Sequence, residues 1–230
     1  LSVLLSGGHI IMLSAQGLRN PAMVTGIWKI VERFGITIFG AVPTALGALL
    51  NVPVDADISS IRYGLTGAAP CPFSVTKRFA EVTGVELHEL LGMTETGGAT
   101  AADAAGQRPT VGSVGYRLPF TRLRVRRQDA EQGLGDDCDP HEVGVLFVEG
   151  PHVSHGYRDP SQNAGVFIEG GLNTGDLAYF DDAGKLFIAG RAKDLIIRSG
   201  HNIDPGMIEQ AMMMHPSVAL AAAVSLPDKY

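Results

Sequence analysis

The sequence predicts an α/β protein: a mostly parallel sheet with flanking helices, then a β-barrel-like part, then the start of a small α+β domain. Three observations carry that expectation. From Leu1 to about Ala105, apolar strand-like runs alternate with helix-like segments, the order produced when parallel strands carry helices on their faces. From about Pro109 to Gly190, short strands dominate and turn residues separate them, as in an antiparallel barrel or sandwich. From Lys193 a strand, a helix and a further strand follow. The implied parts are residues 1–108, 109–192 and 193–230. The first reads as incomplete at its start and the last as truncated, since the chain begins with Leu1 rather than Met and stops soon after a strand-like run.

In chain order, Ser6-Gly7-Gly8 predicts a turn; it lacks the Lys and the spacing of a Walker phosphate loop. His9 to Leu13 reads as a strand. Asn20 caps a helix with Pro21 in its first position, running through Trp28 and Val31 to Phe34 and stopping at Gly35. Thr37 to Phe39 is a buried strand, and Pro43 opens a helix ending near Leu50. Ile61 to Thr66, Pro72 to Val82 and Val85 to Glu89 continue as strand, helix, strand. The strands of the second part are Arg122 to Arg127, Val143 to Glu149, Gly165 to Glu169, Leu177 to Phe180 and Lys185 to Ala189, with Asp181 to Gly184 as a turn. In the third part, Leu195 to Ile197 is a short strand. Asp204 caps a helix carrying Ile208, Ala211, Met212 and Met214, and Val218 to Val224 is the last strand.

The composition is 45% hydrophobic and 18% charged over 230 residues, with a net charge of −6, which suits a globular protein with a sizeable core. That balance excludes the nucleic-acid binders that rely on a dense basic surface. The basic run Arg122 to Arg127 alternates with Leu123 and Val125, the pattern of a strand with one solvated face. Cys71 and Cys138 have no metal-like spacing and fit a reduced, cytoplasmic setting. No apolar run reaches the roughly 20 residues needed to span a bilayer, and no signal peptide is visible.

Four stretches carry chemistry. Gly67-Ala68-Ala69-Pro70 follows a strand, where small residues let a backbone approach a ligand closely; an ordinary strand–helix connection has the same composition. Leu91-Gly92-Met93-Thr94-Glu95 follows another strand and opens into Thr96-Gly97-Gly98. An acid there could help hold Mg²⁺, which takes hard oxygen ligands from one carboxylate plus substrate phosphates; an exposed turn glutamate is the bland alternative. Asp176 sits in what reads as a Gly-rich turn, Thr174-Gly175-Asp176-Leu177, and Arg191 follows fifteen residues later at the end of another strand. A hairpin of that length brings the two together, a carboxylate able to accept from ribose hydroxyls beside a guanidinium able to meet a ribose oxygen or phosphate. Taken singly, Asp176 is also ordinary turn chemistry and Arg191 a surface ion pair. The last stretch is Gly200-His201-Asn202-Ile203-Asp204-Pro205. His152 and His155 form a His-x-x-His pair without a third ligand and read as surface histidines.

The order of these stretches resembles the adenylate-forming (AMP-binding) superfamily, which comprises acyl-CoA synthetases, luciferases and nonribosomal adenylation domains. Within it the chain looks like an internal fragment of a bacterial fatty-acyl-CoA synthetase or related acyl-CoA ligase. The resemblance implies an enzyme that uses ATP, Mg²⁺ and CoA to activate a carboxylic acid, fatty or aryl, as an acyl-adenylate and then a thioester. It implies nucleotide contacts from Gly67, Ala68, Ala69, Leu91, Gly92, Met93, Thr94, Asp176 and Arg191, with Thr94, Glu95 and Arg191 in catalysis and Glu95 on the metal. Gly40, Val42, Pro43, Gly67, Leu91 and Gly92 would line the acyl pocket. Lys193 would be the hinge of the small C-terminal domain, and Gly200 and His201 would face CoA. Leu91 stands where the family usually has an aromatic residue. The family's Ser/Thr/Gly-rich phosphate loop and its adenylation lysine would lie before Leu1 and beyond Tyr230, so the piece alone is expected to adenylate poorly. Two alternatives stay open: an adenylation domain that loads a carrier protein, and a non-catalytic nucleotide-binding fragment. An oligomer is possible.

Overall fold

The computed structural model describes residues 2–104, 106–129, 133–198, 201–213, 215, 217–218 and 221–226. The chain divides into two compact units, residues 1–88 and 89–230.

In the first unit, α1 (Ser2–Leu5) precedes the turn at Ser6-Gly7. His9 to Leu13 is not the strand the apolar run suggested: no strand pairs with it among the described residues, and Ile10 and Met12 are exposed. A strand needs a ladder partner, and apolar composition alone does not supply one. The helix expected from Pro21 to Phe34 is two helices, α2 (Pro21–Thr25) and α3 (Ile27–Phe34), meeting at Gly26, a residue that costs a helix interior about 1 kcal/mol. Asn20 caps α2 by accepting from the Ala22 N–H at 3.0 Å, and α3 ends at the left-handed Gly35. The next elements are β1 (Ile38–Gly40), α4 (Pro43–Leu49), β2 (Tyr63–Gly67) and α5 (Phe73–Thr83). β1 and β2 pair in parallel, Phe39 opposite Gly64. The core gathers Trp28, Val31, Phe39, Leu46, Leu49 and Phe79, and the Trp28 indole N–H donates to the Val52 carbonyl at 3.0 Å.

β3 (Leu87–Met93) starts in the first unit and ends in the second. There it pairs antiparallel with β4 (Gly98–Ala102), which pairs antiparallel with β5 (Tyr116–Arg117). A six-stranded antiparallel sheet follows, built from β6 (Arg122–Asp129), β7 (Gly133–Asp137), β8 (Gly144–Glu149), β9 (Phe167–Ile168), β10 (Gly171–Phe180) and β11 (Leu186–Arg191). Its order is β11-β10-β8-β6-β7, with β9 on β10. Val125, Leu146, Val148, Leu172, Ala178 and Leu186 form its core. The solvated basic face of β6 holds for Arg122; Arg124 and Arg127 are half-buried in ion pairs with Asp137 and Glu142, and Arg126 is buried: it donates to the Gly135 and Leu134 carbonyls and pairs with Glu169 at 2.6 Å.

A hairpin of β12 (Ile196–Arg198) and β13 (His201–Ile203) leads to α6 (Pro205–Met213). Asp204 caps α6, accepting from the Gly206 N–H at 3.1 Å. The strand expected over Val218 to Val224 is absent from its described part: Val218 and residues 221–226 form no strand, and the Ala223 N–H goes instead to the Glu209 carboxylate at 2.9 Å. Met214 lies outside the described residues. No helix among the described residues is long and apolar enough to cross a membrane.

Candidate functional site

Asp176 is not in a turn. It lies inside β10, directly opposite Arg191 on β11. What reads in sequence as a Gly-rich turn is a bulge: the β10–β8 register shifts between Asn173 and Leu177. Gly175 makes the bulge possible with φ +70°, a conformation in which a Cβ clashes with the backbone. The neighbours hold it there. Thr174 Oγ1 donates to the Leu146 carbonyl at 2.9 Å and accepts from the Asp176 N–H at 3.0 Å, while Asn173 Oδ1 accepts from the Gly175 N–H at 3.1 Å.

The bulge sets the Asp176 carboxylate 2.7 Å from Arg191 Nε. The Asp176 side chain is 8% exposed and that of Arg191 52%. Burial pushes the Asp176 carboxyl above its usual range, and the Arg191 guanidinium pulls it part of the way back. A nearly buried acceptor thus sits behind a half-exposed cation.

The second contributor is the turn after β3. Gly92 lets β3 and β4 approach: a Cβ there would stand 2.5 Å from the Gly98 carbonyl. Thr96, buried at the turn's centre, donates to the Met93 and Gly98 carbonyls. Glu95 Oε1 accepts from the Tyr157 hydroxyl at 2.6 Å, and that bond pushes the phenol above its ordinary pKa. Glu95 Oε2 has no partner among the described residues.

Met93, Glu95, Tyr157, Thr174, Arg191 and Lys193 share an open cleft of about 370 Å³. The turn and the β10–β11 hairpin, read separately from sequence, therefore meet at one place. Lys193 lies exposed in a single 3-10 turn, Ala192–Asp194, between β11 and β12. Thr94 is exposed beside the cleft, and Leu91 and Gly92 are half-buried in β3; none of the three lines it. Gly40, Val42 and Pro43 sit at the β1–α4 connection of the first unit, Val42 exposed and Pro43 buried. Gly67 ends β2, and Ala68 after it takes φ +70°, a strained backbone of the kind found where a loop has a task. Gly200 lies outside the described residues. His201 opens β13. His155 is exposed and His152 is half-buried.

Among the described residues no group of three or more His, Cys, Asp or Glu gathers as a cation cage. A single carboxylate with one oxygen unpartnered, in a cleft with two cations, suits Mg²⁺ shared with substrate phosphates rather than a metal held by protein alone. Sequence reasoning gave no role to Thr96 and Asn173, which shape the two loops, or to Tyr157.

A family model for AMP-binding enzymes matches residues 1–158. The chain belongs to the AMP-binding enzyme family. It is 42% identical over 232 residues to marinolic acid–CoA ligase of Pseudoalteromonas sp. (strain SANK 73390), covering 100% of this chain and 36% of that protein. It is 35% identical to a long-chain-fatty-acid–CoA ligase of Bacillus subtilis, over 88% of this chain and 36% of the relative. Among solved structures, O-succinylbenzoate coenzyme A synthetase from Bacillus subtilis, in complex with ATP and magnesium ion, is 32% identical with a TM-score of 0.76, over 90% of this chain and 42% of that one. The chain thus spans well under half the length of these AMP-binding relatives, and its adenylate-forming fold is theirs.

Proposed function

We propose that the protein to which this chain belongs activates a carboxylic acid with ATP and passes it to CoA. The observation that carries the reading is the buried Asp176 carboxylate paired with Arg191 at the edge of the cleft that Glu95 also lines. In the first step a carboxylate oxygen of the acid attacks the α-phosphorus, the bond to the bridging oxygen breaks, and pyrophosphate leaves. Asp176 accepts the ribose hydroxyls, Arg191 faces ribose or phosphate, and Thr94 approaches the α-phosphate. Glu95 would hold Mg²⁺, which when bound offsets the charge that accumulates on the departing oxygens. In the second step the chain turns about Lys193, the CoA thiol loses its proton and attacks the acyl carbon, and AMP leaves.

Similarity to ligases of marinolic and long-chain fatty acids supports an acid with an apolar body. Cys71 and Cys138, thiols rather than a disulfide, fit a cytoplasmic protein. The test is ATP–pyrophosphate exchange by the complete polypeptide across fatty, aryl and amino acids. Exchange with one acid class and its loss in Asp176→Ala, by on the order of 100-fold or more for hydrogen bonds from a charged group, are the expected results. ATP binding without exchange, unchanged in Asp176→Ala, would leave a nucleotide-binding protein without this chemistry.

A further inference from the structure

The hydrogen bond between Tyr157 and Glu95 joins residues 62 apart in sequence, and several contacts aim it. The Tyr157 N–H donates to Asn163 Oδ1 at 2.8 Å. The Tyr157 ring meets Phe167 edge-on with centroids 5.2 Å apart. Ser154, three residues before Tyr157, donates its N–H to the Glu95 carbonyl at 2.7 Å. The same loop therefore grips Glu95 by both main chain and side chain. One carboxylate oxygen is engaged, the other has no partner among the described residues, and both side chains line the cleft.

A lone glutamate samples many rotamers, and ordering it subtracts from the affinity of whatever it binds. A phenol fixed by its own backbone and ring contacts removes that cost in advance. A phenol is also a hydrogen-bond donor throughout the neutral range. Outer partners of this kind change metal affinity or activity by about 10- to 100-fold when removed.

We propose that Tyr157 is a positioning residue for adenylate formation: its hydroxyl orients the Glu95 carboxylate and leaves one oxygen for the divalent cation that accompanies ATP. The proposal rests on the adenylation reading above. A purely structural role, stapling the 150–163 loop to the 94–97 turn, makes a different forecast for Tyr157→Phe, which keeps the ring against Phe167 and loses only the hydroxyl.

The experiment compares the complete polypeptide and its Tyr157→Phe variant in ATP–pyrophosphate exchange against Mg²⁺ at fixed ATP. The expected result is a half-saturating Mg²⁺ concentration raised about 10-fold, with Tm and the KM for the acid little changed. A second readout needs no turnover: calorimetric binding of ATP at stepped Mg²⁺ concentrations should shift to higher Mg²⁺ in Tyr157→Phe. Lower Tm with an unchanged Mg²⁺ dependence assigns Tyr157 to loop packing and overturns the proposal. So does ATP binding with the same Mg²⁺ dependence in both proteins. Wild type that exchanges with no acid sinks the adenylation reading and this proposal with it, whatever the binding measurement gives.

Discussion

Asp176 works against the fold that holds it. Its carboxyl is pushed above the usual range by burial, with Arg191 only partly offsetting this. A folded-state pKa above the unfolded value, which is about 3.9 for Asp, means that the favourable contribution exists while the group is protonated. It is complete below the unfolded pKa and is lost as pH rises through the folded one. At neutral pH the charged form therefore costs stability. Asp176→Asn is expected to melt higher than wild type at neutral pH, and the gap should close as pH falls toward the unfolded value. The same variant should lose nucleotide affinity, since an amide cannot accept from two hydroxyls as a carboxylate does. Melting curves at several pH values check this; a gap independent of pH would show that desolvation of the carboxylate is not the cause. The pair itself was legible in sequence, because a hairpin couples the two positions by register. Tyr157 was not, because nothing local connects it to a residue 62 positions away.

One backbone rule, applied at a bulge and at a turn, gives opposite predictions for the elements they serve. Gly175 holds φ +70° in the bulge of β10, and a Cβ there would meet nothing within 4 Å. The cost of Gly175→Ala is thus backbone strain alone, about 1 kcal/mol, together with reduced exchange activity as Asp176 shifts. Phe120, in the turn between β5 and β6, holds φ +63° with 84% of its surface exposed. Phe120→Gly should relieve that strain and gain about 0.5 kcal/mol after the added chain entropy of glycine is counted. Chemical denaturation of both variants checks the pair; equal signs would refute the backbone account. These two positions also show what the sequence withholds at this scale. The cap at Asn20 and the stop at Gly35 were legible because they depend on residues within a turn. The break at Gly26 carried its glycine in plain view, whereas the bulge at Gly175 was decided by the pairing of β10 with β8. His9 to Leu13 failed as a strand for the same reason, since a strand exists only with its partner.

For the molecule as a whole, the two proposed half-reactions make separate demands on one chain. Adenylation needs ATP and the acid aligned at the cleft. Thioester formation needs the acyl-adenylate to meet a thiol, and the proposed turn about Lys193 supplies the change. The connection is short: β11 ends at Arg191, the 3-10 turn covers Ala192–Asp194, and β12 begins at Ile196. Any large reorientation of β12, β13 and α6 relative to β11 must be absorbed by those few backbone torsions. Lys193 is exposed, while Ala192 and Leu195 on either side of the turn pack against the cluster of Leu134, Val145, Phe147 and Leu177, so a rotation there has to release those contacts. Proline at this position fixes φ near −65° and leaves Arg191 and Asp176 in place. In the complete polypeptide, Lys193→Pro is therefore expected to retain ATP–pyrophosphate exchange while thioester formation falls on the order of 100-fold, the scale of a misplaced reacting group. A charge-preserving control, Lys193→Arg, should leave both steps near wild type. Equal losses in the two half-reactions would mean that proline damages the Arg191 strand rather than a hinge. Undiminished thioester formation would place the rotation elsewhere in the chain.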